Sequence, residues 1–153
     1  MAKKKTASSP NEQAELILHL FELRREAVMR EARSYIGGAF RPRSAEEFVR
    51  AVTAGDRQSS FVLQVYGYWE MVAAFVTHGA LSPELVYDTC QELYFQFAKI
   101  EPYLAEFRKQ MASPEWLIGV ERLVNHSPAG RRRMAQMRKS LESMDKRKAE
   151  KPA

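Results

Sequence analysis

Three groups of residues in this chain have the types and spacing to do chemistry. Tyr66, Trp69 and Glu70 fall on adjacent turns of one predicted helix. An aromatic wall that carries a carboxylate can orient a small ligand, because convergent polar groups in an apolar hollow are what fix a bound molecule. The same residues also read as a satisfied polar network inside a helical bundle, with Glu70 meeting an arginine of the first helix. Arg24 and Glu31 lie inside the broad apolar sector of that helix, beside Ile17, Leu20, Phe21, Val28, Ala32 and Tyr35, and buried charges need partners.

The second group is the carboxy-terminal run. Arg131, Arg132, Arg133, Arg138 and Lys139 surround an apolar stripe of Met134, Met137, Leu141 and Met144. Long cations reaching over such a stripe suit an acidic protein groove, an anionic membrane surface or nucleic-acid phosphates. Aromatics interleaved with the arginines, or a helix-turn-helix, would point to nucleic acid, and neither is present. A solubilising tail has the same composition.

The third group carries metal-ligating and nucleophilic types. His19, His78 and His126 are never three or four residues from one another, the spacing that puts two ligands on one helix face. His19 follows Glu15 by four, a lone pair far short of a di-iron motif, and His78 sits beside a helix-ending glycine. Cys90 occupies an apolar position and reads as a small hydrophobe with a raised pKa. With no nucleophile elbow, phosphate loop or dinucleotide fingerprint, the chain reads as non-enzymatic, with no metal and no cofactor expected.

These residues are held by a chain of 153 residues, 45% hydrophobic, with net charge +5. Lys3, Lys4 and Lys5 contribute +3 and residues 129–153 contribute +6, which leaves residues 6–128 at −4. The positive charge thus belongs to the ends and not to a basic face on the domain. A single cysteine asks for no oxidising compartment, and the opening lysines lead into polar residues and not an apolar signal segment. A cytoplasmic setting without a transmembrane segment is the expectation.

Phe61 to Phe75, FVLQVYGYWEMVAAF, is apolar around nearly its whole circumference yet too short to span a bilayer. Such a helix must be surrounded by others, so it predicts the centre of a bundle. Around it the pattern predicts a helix over 11–36, ended by Gly37-Gly38, and a short helix over 45–53 opened by a Ser44/Glu47 capping box. The central helix spans 56–78 and stops at Gly79.

Ser82-Pro83-Glu84 opens a long helix whose seam, Val86, Cys90, Leu93, Phe97, Ile100, Leu104, Phe107 and Met111, steps by fours and threes through Pro102, which predicts a kink there. Ser113-Pro114-Glu115 repeats that opening and predicts a helix over 114–124.

An aromatic-rich helix, Tyr66 to Gly79 (YGYWEMVAAFVTHG), followed by an acidic-start helix and the segment Pro102 to Arg108 (PYLAEFR), resembles a family of small uncharacterised bacterial all-helical proteins. The resemblance covers roughly residues 22–124. It implies a helical fold in a bacterial cytoplasmic or membrane-adjacent setting; some relatives appear with an amino-terminal membrane span, from which this chain departs. It carries no functional residues.

The resulting expectation is a single-domain all-α bundle of four or five helices over 11–126, after a disordered leader over 1–10 and before a basic amphipathic helix or tail over 127–153. Its function reads as a non-enzymatic interaction or regulatory module for a protein partner or a second copy. Nucleic-acid association through the basic segment is one alternative, and a small-ligand or enzyme pocket near Tyr66 and Glu70 is the other.

Overall fold

A computed structural model describes residues 8–151, so residues 1–7 of the leader expected over 1–10 lie outside the described part. The described residues form nine α-helices and no strand. The helices are α1 (Pro10–Arg25), α2 (Ala27–Gly37), α3 (Ala45–Thr53), α4 (Arg57–Thr77), α5 (Pro83–Thr89), α6 (Gln91–Ile100), α7 (Leu104–Gln110), α8 (Ile118–Val124) and α9 (Pro128–Ala149). The all-α, single-domain expectation holds. The helix count is higher than four or five because two predicted long helices are interrupted, one of them twice.

Most helix starts follow from the chemistry of the cap. Ser9, Ser44, Asp56, Ser82 and Ser127 each accept a backbone N–H of the first turn through a side-chain oxygen. At Ser9 the capping is reciprocal, with Glu12 accepting the Ser9 N–H at 2.7 Å, so α1 begins at Pro10, inside the segment expected as leader. At Ser44 it is not. The Glu47 carboxylate accepts the Arg43 N–H at 2.9 Å, one residue further out than a capping box requires.

The helix expected over 11–36 breaks at Glu26, whose extended backbone lets its carboxylate accept the Met29 N–H and cap α2. The long seam breaks at Cys90 and again at a 3-10 turn, Glu101–Tyr103, which carries Pro102. Pro102 therefore restarts a helix and does not kink one, as a residue lacking an N–H suits a first turn. The seam survives both interruptions, with every member from Val86 to Phe107 buried.

The helix expected from Pro114 starts only at Ile118. Ser113 bonds the Met111 carbonyl and caps nothing, and Arg108 Nε takes the Trp116 carbonyl at 2.8 Å. Leu117 then turns through a left-handed φ of 56°. That turn seats Trp116 against Phe107, centroids 4.7 Å apart, and against Phe48.

α4 lies at the centre, packed on α2, α3 and α8. It is not enclosed on every side. Leu63, Gln64, Gly67 and Ala74 are exposed along one stripe, with Leu63 at 47%. Of the two forms expected for 127–153, amphipathic helix or tail, the described residues form the helix: α9 lies on α6 and α8 and drives Met134 and Leu141 into the core. Asp145 pairs with Arg41 at 2.7 Å near its far end.

Candidate functional site

The polar residues of the interior form three separate fixtures. The largest is centred on Glu92 of α6, which binds both Arg24 of α1 and Arg33 of α2, with Arg33 Nε at 3.0 Å and Nη2 at 2.5 Å. Gln96, one turn on, donates to Glu92 at 2.6 Å, while its own side-chain oxygen accepts the Trp69 indole N–H and its carbonyl accepts the Tyr66 hydroxyl at 2.8 Å. Arg24 also lies over the rings of Phe21 and Trp69, at 4.7 and 5.3 Å. Burial pushes the Glu92 carboxyl up, and the arginines outweigh it, holding the group below its ordinary range.

This arrangement corrects two expectations. Tyr66 and Trp69, each 1% exposed, are core side chains whose polar atoms are satisfied within the protein, so they do not frame an open pocket with Glu70. The arginine of the first helix pairs with Glu92 and not with Glu70. Glu70 instead accepts the backbone N–H groups of Gly119 at 2.9 Å and Val120 at 3.0 Å. Glu31 pairs with Arg57 at the surface.

The third fixture had no counterpart in the sequence reading. Lys99 of α6 is 2% exposed, and its ammonium donates to the carbonyls of Ile36, Gly37 and Phe40 at 2.5, 3.1 and 3.1 Å, closing the end of α2. Burial, with Arg41 and Lys148 nearby, lowers its pKa to about 8. A lysine between Ala98 and Ile100 in an apolar run was the available signal. The roles of Glu92, Arg33 and Gln96 left no comparable mark.

The basic residues of α9 are divided between the scaffold and solvent. Met134 and Leu141 are buried and Met137 is half-buried, so these three face inward and are not offered to a partner, while Met144 of the same stripe is exposed. Arg133 stacks on Tyr87, 3.4 Å from the ring centroid. Arg138 grips Glu101 through two bonds of 2.8 and 2.6 Å, and Arg131 donates to the Asn125 carbonyl at 2.8 Å. Arg132 and Lys139 are exposed.

Among the described residues no three of His, Cys, Asp and Glu converge in a way that could hold a metal ion. His19 bonds Glu22 and not Glu15, at 3.2 Å. His78 ends α4 through its backbone N–H. Cys90 is buried, and that burial pushes its thiol up. Among the described residues, no helix is long and apolar enough to cross a membrane.

One apolar groove remains open on the surface. It runs between α4 and the α1–α2 junction, has a volume of about 360 Å³, and is lined by Leu23, Met29, Gly67, Tyr68 and Met71 together with Glu26 and Gln64. Leu23 is 53% exposed beside it, and Leu63 lies one turn before Gly67 on the same stripe.

These features define the class: an all-helical domain whose interior charges are bound to one another and to helix ends, with an uncovered apolar stripe on its central helix. The chain belongs to the family described as a domain of unknown function, DUF4760, whose model matches residues 10–127. Neither a curated protein nor a solved structure matches it. The family match ends where α9 begins, although α9 contributes to the core.

Proposed function

We infer that the protein is a non-enzymatic helical interaction module of the bacterial cytoplasm, and that it docks the apolar face of a protein partner into the groove between α4 and the α1–α2 junction. The observation that carries this reading is the open stripe on α4. Leu63 and Gly67 are exposed and Met71 half-buried on the apolar central helix, no element among the described residues covers Leu63 and Gly67, and exposed apolar surface of this kind marks an interface. Gly67 has nothing within 4 Å of where a Cβ would stand, so a partner backbone can approach α4 closely there. A helix laid in the groove would find anchors at Leu23 and Met71 on either wall. The arginines of α9 that are bound internally are unavailable for a phosphate backbone, which favours a protein partner over nucleic acid.

A photo-crosslinking residue in place of Leu63, expressed in cells, tests the reading against the same residue in place of Lys139. Adducts to one protein, or to a second copy of this chain, from position 63 alone are the expected result. The same adducts from both positions, or none from position 63, would overturn it.

A further inference from the structure

A second opening, which shares no lining residue with that groove, has the chemistry of a small-molecule site. It encloses about 290 Å³ between α5, the end of α8 and the start of α9, and its wall includes Glu84, Asp88, Tyr94, Leu123, His126 and Ala129. An adjoining hollow of about 250 Å³ shares Pro83, Leu123 and His126 with it and extends over Ala73 and Val76.

The polar groups of this lining are of two opposite kinds. α9, a helix of 22 residues, presents its amino terminus to the cleft, where Ser127 caps Gly130 at 3.0 Å and Pro128 has no N–H to offer. The Ala129 N–H has no acceptor among the described residues. Tyr94 lines the same cleft, 1% exposed as a residue, with a hydroxyl that makes no hydrogen bond within the described protein. Burial pushes that phenol up to about 12, so it remains a neutral O–H donor at ordinary pH. Arg133, lying on Tyr87, adds positive charge near Tyr94. Two unclaimed donors at the positive end of a helix dipole suit a carboxylate. Elsewhere in the same lining Glu84 and Asp88, one turn apart on α5, are exposed and form no ion pair among the described residues, which suits an ammonium group.

We propose that this cleft binds a small zwitterion of the α-amino-acid type. Its carboxylate meets Tyr94 and the amino terminus of α9, its ammonium meets Glu84 and Asp88, and its apolar side chain lies over Leu123 toward Ala73 and Val76. The site is independent of the groove at Gly67, so either assignment can fail alone.

The test titrates the full-length, nitrogen-labelled chain with L-leucine and L-methionine, following the amides of Ala129, Gly130 and His126. The same titration with 4-methylpentanoate, which lacks the amine, and 3-methylbutylamine, which lacks the carboxylate, isolates each end. Saturable shifts with an amino acid, weakened about tenfold in each analogue and in the Tyr94→Phe and Asp88→Asn variants, are the expected result. Neither variant removes a hydrogen bond or ion pair within the described protein, and Tyr94→Phe keeps the ring that packs on Tyr87 and Arg133. No shift with either amino acid up to about 10 mM, equal binding of one analogue, or affinity unchanged in both variants would overturn the assignment.

Discussion

Glu70 of α4 caps α8 from outside the helix, its two carboxylate oxygens accepting the N–H groups of Gly119 at 2.9 Å and Val120 at 3.0 Å. A helix start normally finds its cap one residue upstream; here Leu117 is left-handed and offers none, so the acceptor arrives from a neighbouring helix. Gly119 is part of the same arrangement. A Cβ added there would stand 2.8 Å from the Glu70 carboxylate oxygen and 3.2 Å from the Ala73 Cβ.

Glu70→Ala is therefore expected to lower stability by about 1–3 kcal/mol, the cost of leaving buried backbone donors without a charged acceptor. Gly119→Ala should also destabilise, and less so when Glu70 is already alanine, because the clash and the cap share the same atoms. Urea unfolding of the two single variants and the double variant checks this. Strictly additive losses would show that the two residues do not meet as described.

Removing the Glu92 carboxylate strands Arg24, whose side chain is 9% exposed, together with Arg33. Glu92→Ala is expected to cost about 3–5 kcal/mol by denaturant unfolding, as when one member of a buried pair is deleted. Arg24→Met combined with Glu92→Met should recover a large part of that loss, since the buried charge disappears with its partner.

The same carboxylate sets an acid dependence. Its folded pKa lies below the ordinary 4.5, so as pH falls below that value the unfolded chain takes up the proton first. The stability contributed by the Glu92 cluster is complete above that point and is lost as pH drops through the lowered folded value. Glu92→Gln should flatten the acid limb of stability against pH; an unchanged limb would remove Glu92 from the account.

Lys99 acts with the opposite limb. Its folded pKa of about 8 lies below the ordinary 10.5, so between those values the unfolded chain binds more protons and stability rises with pH. Lys99→Met should abolish that rise relative to the parent chain. Thermal melts of both proteins from pH 8 to 10.5 measure the difference.

α9 should behave as part of the core and not as an appendage. Met134→Ala, at a fully buried position, is expected to cost about 2–5 kcal/mol, whereas Met144→Ala, at an exposed one, should fall within about 0.5 kcal/mol of the parent. Equal and small effects from both would return α9 to the status of a tail.

The sequence alone determined the helical class, the central place of α4, the cap serines at 44 and 82, the stop at Gly79 and the burial of the 86-to-107 seam. Each of these follows from periodicity or from chemistry within a few residues. The breaks at Glu26, Cys90 and Leu117 were decided by tertiary structure. So were the partners of Glu70, Glu92 and Lys99, which lie as far away as the 68 residues between Arg24 and Glu92.

Local pattern states which face of a helix is apolar. It does not state which distant backbone or charge a long polar side chain will meet, because that is set by how the faces pack. Tyr66 and Trp69 stood out in the sequence for the same reason they are unavailable as a site: a residue apolar enough to mark the centre of the bundle is the one its neighbours cover. The uncovered stripe at Leu63 and Gly67 became visible only once α2, α3 and α8 had taken their places around α4.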